Sequence, residues 1–213
     1  MRGVMDQLVI AIDGPAASGK GTLARRLARA FNLPYLDTGL LYRAVARRVL
    51  DAGSDAARDA INQAQTLNRV DLDRADLRSQ EVDRMASVVA SIAGVRACLL
   101  DFQRDFATRT GGVLDGRDIG TIVFPDAPVK LYVTASLEVR AARRFAEREA
   151  SGVDTTLEAT RADLAARDEA DRTRAAAPLM PAADAHVLDT SAMNADHAFE
   201  AAAAIVNRTL AHL

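Results

Sequence analysis

A chain of 213 residues, 49% of them apolar and carrying a formal net charge of −2, has enough hydrophobic material for one compact core. That charge balance excludes a general basic field for gripping a nucleic acid backbone, so any anion site has to be local. The single cysteine, Cys98, excludes an internal disulfide, and the three histidines, His186, His197 and His212, lack the grouping of a metal site.

In chain order, Leu8 to Asp13 is a continuous β-prone apolar run, as expected of a strand buried on both faces of a parallel sheet. It is too short for a secretion signal, and no run approaches the roughly 20 residues of a membrane span, so a cytoplasmic protein without membrane contact is expected. A helix follows from Gly19 to about Phe31, with Leu23, Leu27 and Ala30 on one face, and Asn32-Leu33-Pro34 stops it. Further strands are predicted at Tyr35-Leu36, Val113 to Asp115, Val129 to Thr134 and Ala185 to Leu188, with an amphipathic helix from Ala195 to Leu210. This alternation is that of an α/β fold with a central parallel sheet.

Two regions exceed a simple crossover. The first, Thr38 to Thr110, is helical at Gly39 to Asp51, Asp55 to Leu67, Ser79 to Ala90 and Val95 to Ala107, around a polar middle, "NRVDLDRADLRSQ". The second, Ser136 to Ala177, holds two Arg-rich helices around "ASGVDTTLE". Each suits a mobile flap over the sheet's carboxyl edge, where open α/β sheets bind ligands, and each equally suits a rigid outer layer.

The stretch "GPAASGKGT" after the first strand nearly satisfies G-x-x-x-x-G-K-[ST], with Gly21 inserted before the hydroxyl of Thr22. Such a loop aims backbone N–H groups and a helix's positive end into one small space, which suits a polyphosphate. Gly14, Pro15, Ala16, Ala17, Ser18, Gly19, Lys20, Gly21 and Thr22 are therefore expected to bind a polyphosphate, with Lys20 on the outer phosphates and Thr22 on Mg²⁺, directly or through water. The chain has 25 arginines but only two lysines, Lys20 and Lys130, which makes the lysine at position 20 harder to read as accidental. No Asn-Lys-x-Asp run is present, which argues against a guanine-specific switch.

"GKGT" is similar to the loop of nucleoside monophosphate kinases. Together with "YLDTGLLYRAVA", "LDGRDIGTIVFPDAPVKLYV" and "RDEADRTRAAAPLMPAADAHVLDT", it makes nearly the whole chain resemble the bacterial cytidylate kinases, which transfer phosphate from ATP to CMP and dCMP. The resemblance implies that the polyphosphate on Gly14 to Thr22 is that of ATP, and that the chain has a P-loop kinase fold. Its core would be residues 1–37 with 111–135 and 178–213, its acceptor-binding region 38–110 and its lid 136–177. Position by position it implies acceptor-phosphate ligands at Thr38 and Arg43, a phosphate clamp at Arg117 and a reader of the cytosine amine at Asp118. Ser87 and Arg96 match the remaining base-reading positions, and Arg167, Asp171 and Arg174 match those holding ribose and phosphates. Lys20, Arg117, Arg144 and Arg174 are the expected catalytic groups, with Arg143 and Arg144 as lid arginines. ATP with Mg²⁺, CMP or dCMP as substrates, no nucleic acid partner and a monomeric state complete the expectation.

Spacing agrees in part. Arg167, Asp171 and Arg174 stand at i, i+4 and i+7 on one helix face, and Arg140, Arg143, Arg144 and Arg148 line one side of the helix before it. Arg148 and Arg161 are expected on solvated faces, and Cys98 and Met85 in helix packing. Phe124, Pro125 and Pro128 read as structure around a buried strand. Relatives commonly carry a β-rich insert where "NRVDLDRADLRSQ" stands, too short for three strands. They also carry a glycine within Ala16-Ala17, where Ala17 is expected in an ordinary backbone region. Two other readings stay open from residues alone: a kinase for UMP or a hydroxy acid, with Asp37 or Asp115 as base, and a nucleotide-sensing binding module.

Overall fold

The computed structural model describes residues 8–53, 55–108 and 110–212. Five parallel strands form one sheet: β1 (Val9–Asp13), β2 (Tyr35–Asp37), β3 (Gly112–Gly116), β4 (Val129–Thr134) and β5 (His186–Asp189), in the order β2-β3-β1-β4-β5. β1 lies at the centre, in register with β3 from Val9 opposite Gly112 and with β4 from Ile10 opposite Val129. Its side chains alternate between two apolar clusters, which is why the run has no polar face. Leu8, Ile10 and Ile12 pack against Leu23 and Leu27 of α1 (Lys20–Ala30) and Ile205 and Val206 of α8 (Ala195–Leu210). Val9 and Ala11 face the opposite cluster, built from α2 (Thr38–Asp51), α3 (Ala56–Gln65), α4 (Gln80–Ala90) and α5 (Ala93–Thr108).

Helix ends follow the sequence closely. α1 stops where Asn32 takes a left-handed φ of 53° and the Leu33 N–H reaches back to the Ala28 carbonyl at 2.9 Å. The short polar insert forms two 3₁₀ turns, Arg69–Asp73 and Ala75–Arg78, the first opened by Asn68 and Asp71 in a reciprocal capping box. Residues 69–78 contain no strand, as the length of the insert required. Met85 and Cys98 pack against the α2–α5 core. α4 and α5 meet at a sharp break of 98°, and among the described residues no single helix is long and apolar enough to cross a membrane.

One feature was not foreseen and one expectation needs correction. Ile119–Val123, ahead of the Pro-bounded turn, winds into a π-helical turn, because the carboxylate of Asp13 pulls in the N–H groups of Ile119 and Gly120. Arg148 does not sit on a solvated face. In the hairpin of α6 (Leu137–Ala150) and α7 (Leu157–Thr173) it donates to Thr160 Oγ1 and Asp163 Oδ2, each at 3.2 Å, while Arg140 meets Asp168 at 2.7 Å. Arg161 is exposed and reaches Glu138 at 3.4 Å.

Candidate active site

The loop from β1 to α1 is shaped by close approach. A Cβ on Gly14 would stand 2.0 Å from the Val133 carbonyl oxygen, and Gly19, at φ 89°, turns the chain into α1 through the left-handed region. Ala17 does the same at φ 60°, which overturns the expectation of an ordinary conformation. Its neighbours hold it there. The Ala16 carbonyl accepts from Arg140 at 3.3 Å, and the Ser18 carbonyl accepts from Thr190 Oγ1 at 3.0 Å and from Arg143 at 3.5 Å. A left-handed alanine costs about 1 kcal/mol, partly offset in the variant by the greater unfolded-state entropy of glycine. Ala17→Gly is therefore expected to raise stability by roughly 0.5 kcal/mol, read as a higher urea midpoint at unchanged slope.

The inserted Gly21 also has a cause. A Cβ there would stand 3.1 Å from Asp115 Oδ2, a tight approach that favours glycine after Lys20. Lys20 and Thr22 both line a cleft at the carboxyl ends of β1, β2 and β3. Burial, and then the Arg117 guanidinium, push the Lys20 ammonium below its usual range, so an incoming polyphosphate finds a cation short of counter-charge.

Helix starts and strand ends deliver the other side chains to the same cleft. Thr38 and Arg43 come from the first turns of α2, and Thr38 is fixed by donating to the Asp115 carbonyl at 2.8 Å. Ser87 projects from α4, Arg96 from α5, and Arg117 and Asp118 from the end of β3. Arg144 of α6 and Arg167 and Asp171 of α7 close it. Arg174, expected within the helix, lies just beyond it at backbone angles φ −58° and ψ 130°, and its guanidinium is tied to the Ala176 and Ala177 carbonyls. Arg143 is the exception. It grips the carbonyls of Ser18, Thr190 and Met193 and does not line the cleft.

The cationic lining is organised by two carboxylates. Asp171 accepts from Arg117 Nε at 2.8 Å and Arg174 Nη1 at 3.4 Å. Asp83 accepts from Arg43 at 2.8 and 2.9 Å and from Arg144 at 2.8 Å, with Arg167 at 3.9 Å. Burial alone would raise both carboxyl pKa values, yet the surrounding guanidiniums hold both below the usual range. At the other end of the cleft Arg96 pairs with Asp118 and stands 5.3 Å above the ring of Tyr42.

Asp13 anchors this arrangement. It accepts from Ile119 and Gly120 N–H, both at 2.8 Å, directly after Asp118. Burial pushes its pKa from 3.8 up to about 6. The native state therefore holds this proton more strongly than the unfolded chain, and the group's contribution to stability falls as pH rises from about 4 to about 6, then levels off. A carboxyl ¹³C titration is expected to place the Asp13 midpoint near 6; a midpoint near 4 would contradict it.

Sequence reasoning missed Asp83, Asp13, Tyr42 and the Arg140–Asp168 pair. Asp83 stands one helical turn before Ser87, a spacing that would have put it on the same face, but a lone acid in a helix looks solvated. Lys130 is buried, donating to Asp184 at 2.7 Å and to the Pro125 carbonyl, and so braces the turn before β4.

The family model for cytidylate kinase matches residues 10–208. The chain is 71% identical over 206 residues to the cytidylate kinase of Acidiphilium cryptum, covering 96% of this chain and 97% of that one. It is 61% identical over 204 residues to that of Granulibacter bethesdensis, covering 95% and 98%. Solved structures share the fold at low identity. A protein from Eubacterium ventriosum superposes with a TM-score of 0.55 at 16% identity over 94% of this chain and 99% of that one. A gluconokinase from Sinorhizobium meliloti gives 0.50 at 15% identity over 95% and 93%. A phosphate loop, a cleft ringed by arginines from separate segments and this near full-length match agree, and the chain belongs to the cytidylate kinase family.

Proposed function

We propose that the protein transfers the terminal phosphoryl group of ATP to the phosphate of CMP or dCMP by direct in-line attack, giving ADP and CDP or dCDP. The observation that carries this reading is the convergence of Lys20 with Arg43, Arg117, Arg144, Arg167 and Arg174 on one cleft. Two polyanions repel each other, and the reaction needs that repulsion cancelled at close range more than it needs a base. The attacking oxygen belongs to a phosphate already ionised at neutral pH, so no proton has to be removed.

In this reading Gly14 to Thr22 cradle ATP with backbone N–H groups, and Lys20 meets its outer phosphates. Thr38 and Arg43 seat the acceptor phosphate, and Arg117, Arg144 and Arg174 face the group in transit. Ser87, Arg96 and Asp118 read the cytosine edge, while Arg167 and Asp171 hold the acceptor's sugar and phosphate. The cleft fits a magnesium ion, since Thr22, Asp37 and Asp115 offer hard oxygens beside Lys20. Bound with ATP, the ion would neutralise charge on the outer phosphates, with Thr22 holding it directly or through water. The region 38–110 then serves as the acceptor-binding region and 136–177 as a lid that excludes water from the transfer. We take the protein to work as a monomer in the cytoplasm.

The test is ADP release from ATP with CMP, dCMP, UMP, AMP or shikimate as acceptor. Release driven strongly by CMP and dCMP is expected. Equal release with AMP would overturn the base-site assignment, and release with shikimate alone would overturn the reaction.

A further inference from the structure

We infer that Asp83 is a positioning residue that fastens the lid to the acceptor-binding region by holding Arg43, Arg144 and Arg167 from behind. The inference rests on the kinase reading above for what those arginines face.

The three arginines line the nucleotide cleft, but Asp83 does not. It faces a second cavity of about 270 Å³, between α4 and the lid helices α6 and α7. Its carboxylate therefore acts on the far side of the guanidiniums. Arg43 spends Nε and Nη2 on Asp83 Oδ1, which fixes the plane of its fork, while Arg144 spends Nη2 on Asp83 Oδ2 and Nη1 on Glu147 at 3.2 Å. Arg167 stands further off and shows why a carboxylate is needed. Its Nε is buried with no partner, and burial together with Arg117 and Arg43 pushes its pKa down to about 10. Without an anion behind them, these cations would repel one another and turn toward solvent.

The same contacts join separate parts of the chain. Arg43 belongs to α2, Asp83 to α4, Arg144 to α6 and Arg167 to α7. Between α4 and the lid the polar links are Asp83 to Arg144 and Arg167, and Gln80 to Asp163 at 3.3 Å. The cavity beside them shows that apolar packing does not fill this interface. An interface held by ion pairs and left partly unpacked can open and close, and its closed state depends on the central carboxylate.

The experiment compares wild type with Asp83→Asn and Asp83→Glu, alone and with Arg144→Gln, in steady-state assays, with amide hydrogen exchange of residues 137–173 measured without nucleotide. For Asp83→Asn we expect an ATP KM within about twofold of wild type, and a combined rise in CMP KM and fall in kcat of roughly tenfold or more. We also expect faster exchange in the lid helices. Asp83→Glu should recover most of both effects, and in the Arg144→Gln background Asp83→Asn should cost clearly less than it does alone, the remainder being its hold on Arg43 and Arg167. CMP kinetics and lid exchange both unchanged in Asp83→Asn would overturn the inference, as would fully additive losses in the double variant. Arg144→Gln tests the same link should the Asn variant not fold: wild-type lid exchange and CMP kinetics in that variant overturn it. Wild type without CMP-dependent ADP release would overturn the kinase reading instead, and the exchange data would still decide whether Asp83 fastens the lid.

Discussion

Alanine in place of Arg117 is expected to lower turnover with ATP and CMP by about two to three orders of magnitude. Arg117 extends from the end of β3 beside Lys20, and its orientation is fixed by Nε to Asp171 at 2.8 Å and Nη1 to the Gly116 carbonyl at 3.2 Å. Two effects add when it is removed. The transferring group loses a cation already in place, and Asp171 is left in the cleft with Arg174 at 3.4 Å and the more distant Arg167 to balance it. An under-compensated carboxylate beside two polyphosphates raises the barrier further. Arg117→Lys separates charge from geometry. It restores the positive charge but not the fork, and should still fall short by about tenfold. Single-turnover rates at saturating substrates, with far-ultraviolet circular dichroism to show that the fold is kept, are the check. A near-normal rate in the alanine variant would remove Arg117 from the catalytic set.

Asp118→Ala is expected to collapse the preference for CMP over UMP by about two orders of magnitude or more. A carboxylate accepts from the amine that cytosine presents and repels the carbonyl that uracil presents in its place. Asp118 is buried, and its pairing with Arg96 keeps it aimed, with Tyr42 beneath the guanidinium. The carboxylate proposed to discriminate is thus held by α5 on one side and by the turn that Asp13 pins on the other. The ratio of kcat/KM for the two acceptors measures the effect. An unchanged ratio would mean that the base is read elsewhere.

The sheet was legible because each strand is an apolar or β-prone run and the breaks between them are strong helix patterns. The phosphate loop was legible because lysine, glycines and hydroxyl agree with the strand and helix around them. Ala17 was not, since its left-handed φ is imposed by Arg140, Arg143 and Thr190, which lie far along the chain and act on backbone carbonyls. The π-helical turn at Ile119–Val123 escaped for a similar reason, its cause being a carboxylate 106 residues earlier. Most of the arginines that line the cleft were found through their motifs, Arg25 and Arg78 excepted, whereas Asp83 stands in none and shows its importance only when three distant arginines are seen to meet on it. Arg148 misled because the helix that shields it is separate from the one that carries it.

Consecutive residues of α6 are committed to different bodies. Arg140 and Arg143 hold carbonyls of the phosphate loop, while Arg144 reaches across to Asp83. The first two turns of the helix are thereby part of the loop's frame, so a lid of the kind proposed would swing from about two turns into the helix rather than from its first residue. A pull on the loop is also a twist on the helix that covers it. In the proposed reading, one peptide bond, between Arg143 and Arg144, marks where the nucleotide donor's cradle ends and the acceptor's cover begins.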